Sequence, residues 1–213
     1  MSEEFEEERC CPNEIQFGEL MYRGFGLFWE HKGLLISAQL ILLAILAGGD
    51  YLLRGVGGNV LLGPFVLGLY KINLDVVRNK DTEIGDILSG FEQFLPAFLA
   101  NILIHLAVFV GLWLFVVPGL LAGLTYAATH FFILEKNLGF WDAMEASRKM
   151  TWGNKKLWLT LGLLLLAINI AGALCFLVGL IVTVPYSRIL VTLVYEEERE
   201  RVAHEAHVVS LEV

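Results

Sequence analysis

Residues 93–134 run for forty-two positions without an Asp, Glu, Lys or Arg, interrupted near the middle by Val117-Pro118-Gly119. A bilayer core about 30 Å thick is crossed by about 20 helical residues. Within it a backbone has to satisfy its own hydrogen bonds, which a helix does. The run is long enough for two passes, so it predicts a transmembrane hairpin folded back at the Pro-Gly turn. Charged residues make up only 18% of the 213 and hydrophobic ones 56%, whereas a soluble domain carries about 25% charged. Mean hydropathy is +0.64. The class is a polytopic membrane protein.

Two further hairpins flank the central one. Residues 33–49 are apolar apart from Ser37 and Gln39, residues 50–59 form a Gly-rich connection with Arg54, and residues 60–77 return, with Gly63-Pro64 early in the pass. A proline is tolerated there because the first-turn N–H has no helical partner. Residues 157–187 are free of Asp, Glu, Lys and Arg for thirty-one positions and stay apolar, apart from Arg188, to Tyr195, with Pro185 inside.

Each hairpin follows an amphipathic segment. Phe17, Leu20, Met21 and Gly24; Ile84, Ile87, Leu88 and Phe91; and Phe140, Ala143, Met144 and Ser147 each mark one helical face, as i, i+3, i+4, i+7 spacing does. Phe17-Gly18-Glu19-Leu20-Met21, Ile84-Gly85-Asp86-Ile87-Leu88 and Phe140-Trp141-Asp142-Ala143-Met144 all place an acid two residues after the first apolar one. The expectation is an all-α bundle of six transmembrane helices in three hairpins, each preceded by an interfacial helix. The repeat units are residues 15–80, 81–137 and 138–195, about sixty residues each. Similarity among Leu-rich segments by chance is the alternative to a triplication.

The net charge of -8 comes from the ends: residues 1–14 hold six Glu against Arg9, and residues 196–213 hold six Glu against Arg199 and Arg201. The first is expected to be a flexible tail and the second an acidic, helical one. Tails of this sign argue against nucleic acid as a partner. Of the 15 Lys and Arg, fourteen fall on one side of the six-span topology, and Arg54 alone falls on the other. The positive-inside rule then puts both termini and the interfacial helices in the cytoplasm. Little chain is left outside to receive an extracellular ligand. The acidic start at residues 2–8 is unlike a cleavable signal peptide, so the first span is expected to direct insertion. Cys10, Cys11 and Cys175 do not make a disulfide framework and read as free thiols. The vicinal pair suits a metal or a lipid as well as two plain thiols in a tail.

Residues 139–149, Gly-Phe-Trp-Asp-Ala-Met-Glu-Ala-Ser-Arg-Lys, resemble a motif of uncharacterised bacterial integral membrane proteins, a group similar to the membrane domain of some glycerophosphoryl diester phosphodiesterases. Residues 84–91 and 179–185 resemble segments of the same group in the same order, so the likeness covers roughly residues 60–195. The resemblance implies six helices in a bacterial inner membrane. It carries no catalytic residues, and the phosphodiesterase barrel has no counterpart here.

Polar side chains at membrane depth are the candidates for chemistry. His105 lies thirteen residues before Pro118 and His130 twelve after it, which predicts similar depth. Asn101 is one turn before His105, and Tyr126 one turn before His130. With Asn169, and with Gln39 in the first hairpin, these read either as a solute-binding or proton-relaying cluster or as hydrogen-bonding glue between helices. No metal is expected among them, since no carboxylate or third His lies at that depth, and no cofactor motif is present. Glu200, His204 and His207 share a face of the C-terminal helix at metal-compatible spacing but lack a further ligand pair. Asp75 and Arg188 are expected near the cytoplasmic ends of spans, where they could pair.

On the interfacial helices, Phe140 and Trp141 stand beside Arg148 and Lys149. That combination anchors a helix in headgroups or binds a lipid specifically. The expected function is non-enzymatic: binding or organising membrane lipids, a partner protein or a second copy of the chain at the cytoplasmic face. A small-solute transporter or channel is the alternative.

Overall fold

A computed structural model describes residues 17–52, 57–174 and 179–211. Cys10, Cys11, Cys175 and the side chains of His204 and His207 lie outside the described part. Among the described residues there is no strand. The α-helices in chain order are α1 (Phe17–Leu52), α2 (Gly57–Val77), α3 (Phe94–Leu114), α4 (Val116–Thr125), α5 (Thr129–Lys136), α6 (Phe140–Gly153), α7 (Lys155–Leu174) and α8 (Leu180–Leu211), with a 3-10 helix (Ile84–Gln93) leading into α3. Three stretches, Phe17–Ile45, Ile84–Leu114 and Lys155–Leu174, are long and apolar enough to cross a membrane. Consecutive long helices pack on one another, α1 on α2, α3 on α4 and α7 on α8, and α1, α2 and α8 close the bundle.

The first amphipathic segment and the first expected span form one helix, bent at His31 (φ -105, ψ 16). The His31 ring nitrogen lies 3.3 Å from the Leu27 carbonyl, and a side chain competing for an i−4 carbonyl is a recognised cause of bending. Before the bend, Leu20, Gly24 and Phe28 are buried against α8, which a Cβ on Gly24 would strike at Leu190. Tyr22, Phe25 and Trp29 line the opposite side and are exposed.

The second amphipathic segment is a 3-10 helix rather than the expected α-helix. With three residues per turn, positions i and i+3 eclipse, and Ile87 and Gly90 face inward while Ile84, Leu88 and Phe91 face out. The reason is the closeness of α2. A Cβ on Gly90 would lie 1.9 Å from the Pro64 carbonyl oxygen, and one on Gly68 would lie 2.0 Å from the Ile87 oxygen. Backbone touches backbone here, as small residues allow between helices in lipid. Asp86 starts the turn, accepting from Glu83 N–H (2.9 Å) and Thr82 Oγ1 (3.1 Å) and pairing with Lys71 (3.2 Å). Those contacts, the Glu83 N–H foremost, hold its carboxyl below the usual range. The recurrent acid falls in the first turn of α1 (Glu19), the 3-10 helix (Asp86) and α6 (Asp142), where a helix dipole favours negative charge.

The central hairpin bends at Phe115, whose extended backbone (φ -162, ψ 152) caps α4. Pro118 then falls in the first turn of α4, and a Cβ on Gly111 would lie 2.7 Å from Gly119 Cα. The return leg is not one helix: α4 stops at Thr125 and α5 resumes at Thr129. Carbonyls freed by such a break need donors if they are buried. Helix α6 supplies them, with Ser147 Oγ donating to the Thr125 carbonyl (2.8 Å) and Thr151 Oγ1 to the same oxygen (3.3 Å). Both side chains are buried, along with Ala143 and Met144, on the face expected from sequence. Asn137, in the left-handed region at φ 48, ends α5, a conformation asparagine tolerates better than most residues.

The apolar core joins Leu35, Ala38 and Leu42 of α1, Leu69, Ile72 and Val76 of α2, Phe131 of α5, Trp158 and Leu161 of α7, and Ile189, Leu190 and Leu193 of α8. A smaller cluster holds Leu67, Ala97, Ala100, Ile133 and Ala143.

Candidate functional site

Two polar groups are built into this core, joined by stacked rings. The deeper one centres on Arg188. It lies eight residues into α8 and eight before Glu196, about 12 Å along the helix from each. Its Nη1 donates to Gln39 Oε1 across to α1 (2.8 Å). Tyr70 of α2 and His130 of α5 both lie close enough to Arg188 to feel its charge. The His130 ring stacks on Tyr70 at 4.8 Å and 2° between planes. Its Nε2 is buried and accepts or donates no hydrogen bond. Tyr70 meets Phe131 edge-on at 4.9 Å, and Phe131 stacks on Tyr195 at 4.3 Å.

Tyr195 leads to the second group. Its hydroxyl donates to Glu135 Oε2 (2.5 Å). Arg78, just past α2, donates to Glu135 Oε1 and, through Nε, to Glu196 Oε1 (2.9 Å). Arg199 completes the set at 3.0 Å from Glu135 and 3.2 Å from Glu196. Burial alone would raise the Glu135 pKa, but Tyr195, Arg78 and Arg199 outweigh it and hold the carboxyl below its ordinary value. One turn away, Glu198 is buried and accepts from Asn154 Nδ2 (2.9 Å) and Arg201 Nη2 (3.0 Å). Carboxylates at positions 196 and 198, expected to begin a solvated tail, are interior groups tying α8 to α2, α5 and the α6–α7 junction. Glu197, between them, is pushed up by burial despite nearby Arg23.

The residues singled out from sequence divide differently from expectation. His105 is exposed on α3, with Nδ1 2.7 Å from the Asn101 carbonyl of its own helix, and lies close enough to His130 to interact with it electrostatically. Asn101 is buried. Tyr126 does not share a face with His130, because it sits in the break before α5 and lies near Arg148 of α6 instead. Asn169 donates to Ser187 Oγ (2.9 Å) and accepts from Thr183 Oγ1 (3.2 Å), bonding α7 to α8. Gln39 and Asn169 therefore meet separate partners. Arg188 turns to Gln39, not to Asp75.

No family model and no solved structure matches the chain. What the site does has to be read from its geometry. Among the described residues no group of three His, Cys, Asp or Glu is placed to hold a metal ion.

On α6 the surface residues separate cleanly. Phe140 is half-buried against Ile133 and Ala143 and acts as an anchor. Trp141 is 68% exposed and Trp152 is 56% exposed. They share an outward face with Arg148, which Glu145 holds through two bonds of 2.8 and 2.7 Å. That grip, the Glu145 hydrogen bond foremost, lowers the Glu145 pKa. Lys149 extends past it, with its side chain 73% exposed and Nζ 3.8 Å from Glu145. Lys155 lies over the Trp152 ring at 4.5 Å, and Lys32 lies over Trp29 of α1 at 3.8 Å. Of the four residues expected at this surface, Trp141, Arg148 and Lys149 are exposed and Phe140 turns inward; Arg188 with Tyr70, and Arg78 with Glu135, emerge only once distant helices are brought together.

Proposed function

We propose that the chain is an integral membrane protein of six spans in three hairpins, of the bacterial inner-membrane kind that residues 139–149 resemble. Its termini lie in the cytoplasm and its outward helix faces bind lipid headgroups or a membrane-seated partner without catalysing a reaction. The observation that carries this reading is the pairing of exposed tryptophans with lysines on α1 and at the α6–α7 junction. Indole rings favour the bilayer interface, and each Lys or Arg near an anionic surface contributes about 1 kcal/mol. The polar layer around Arg188 supports the same reading. Gln39 bonds it across to α1 and Tyr70 of α2 lies within reach of its charge, as expected of a group that fastens helices.

Single-tryptophan variants in liposomes test the proposal. Trp141 and Trp152 should be quenched most by bromine close to the headgroups, and anionic lipid retention should fall about fivefold for each of Arg148→Ala and Lys149→Ala. Unquenched tryptophans and unchanged retention would remove the surface from consideration.

A second reading, a small-solute carrier, rests on a partly buried Arg188 with an amide as its hydrogen-bond partner. It requires flux in reconstituted vesicles that the double variant His105→Ala/His130→Ala abolishes. Absence of that loss ends it.

A further inference from the structure

Where the 3-10 helix passes into α3, a cleft of about 340 Å³ opens against the α5–α6 connection. It is lined by Phe91, Glu92, Gln93, Phe94, Asn137 and Leu138, with Leu95 and Pro96 at its edge. Its chemistry is one-signed. Glu92 supplies a carboxylate, and no Lys or Arg lines the cleft. Gln93 Nε2 donates to Asn137 Oδ1, fixing the polar floor, while Gln93 Oε1 is buried there with no donor. Phe91 and Phe94 stack at 6.2 Å and 26°, and Phe94 stacks on Phe98 at 5.8 Å. A carboxylate, an acceptor lacking a donor and aromatic faces together suit a cation that carries N–H groups.

The cleft continues into an apolar stripe. Leu95, Ile102, Leu106, Phe109 and Trp113 are all exposed on α3, and their spacing places them on one helical face. A soluble amine would leave that stripe unused; an acyl chain would run along it.

We infer that this cleft binds the headgroup of a phospholipid bearing a primary ammonium, with the ammonium at Glu92 and Gln93 and an acyl chain along the α3 stripe. The inference rests on the membrane placement proposed above but uses a different surface, so the two can fail separately. A phosphoglycerol headgroup brings no cation to Glu92. A choline headgroup brings a cation without N–H donors, which satisfies the rings but not the two oxygens.

Native mass spectrometry of the full chain released from detergent, titrated with phosphatidylethanolamine, phosphatidylcholine and phosphatidylglycerol of matched chains, tests this. Phosphatidylethanolamine should bind about tenfold more tightly than the other two, the scale of one charge-assisted hydrogen bond. Glu92→Gln should bring the three within about twofold, and Glu92→Asp should restore the preference. Equal binding in the wild type, or a preference that survives in Glu92→Gln, overturns the assignment. Displacement of the lipid by equimolar glycerophosphoethanolamine would make the ligand a soluble amine and overturn the lipid part.

Discussion

Arg188 shows how far a residue's meaning depends on its partner. A guanidinium buried among apolar side chains is expensive, and here Gln39 gives it an amide oxygen while Tyr70 and His130 lie within reach of its charge. Removing the partner should hurt more than removing the pair, because a lone buried charge keeps its desolvation cost. Gln39→Leu is expected to destabilise by about 2 kcal/mol, and adding Arg188→Met should recover most of it. Thermal melts of the four proteins in one detergent measure the coupling, and simple additivity would refute it.

Glu135 sets a pH dependence with a definite sign. Its native pKa lies below its ordinary 4.5, so the unfolded chain binds the proton more readily. The stabilisation is complete above that value and is lost as pH falls through the depressed native pKa. The melting temperature should therefore drop below about pH 4.5, and Glu135→Gln should flatten that part of the profile. Glu197, raised by burial, contributes in the opposite direction, so a Glu197→Gln background should steepen the acid loss.

At the scale of elements, the contact between the 3-10 helix and α2 is the least forgiving. Gly90→Ala drives a methyl into the Pro64 carbonyl, which lies 1.9 Å from the Cβ position and belongs to the backbone. Overpacking of this kind costs about 1–3 kcal/mol. Gly26 of α1 has nothing within 4 Å of its Cβ position, so Gly26→Ala should stabilise by about 0.5–1 kcal/mol through helix propensity. Opposite shifts in melting temperature from the same chemical change would locate the tight contact; equal shifts would deny it.

For the whole molecule, the proposed topology makes a two-sided forecast. After the native cysteines are replaced, a cysteine at Lys80 or Lys136 should react with an impermeant maleimide only from the cytoplasmic side. One at Phe115, exposed at the bend between α3 and α4, should react only from the other side. Any reversal of sides would undo the six-span arrangement, which composition motivates but three apolar helices alone do not require.

Much of the architecture was legible along the chain. Apolar runs and their proline interruptions located helix pairs because hydrogen-bond satisfaction in lipid is a local demand, settled by consecutive residues. The buried face of α6 and the exposed Trp141 and Lys149 were legible for the same reason, since a helix's periodicity is written in its own sequence. The break at residues 126–128, the 3-10 geometry of residues 84–93 and the burial of Glu196 and Glu198 were not. Each is decided by a neighbour remote in sequence: hydroxyls of Ser147 and Thr151, the Pro64 backbone, Arg78 and Asn154. Sequence alone determined a helical chain with stretches long and apolar enough to cross a membrane. Only tertiary structure decided which polar groups meet, because a charge or carbonyl takes the nearest partner in space, and that partner is chosen by packing.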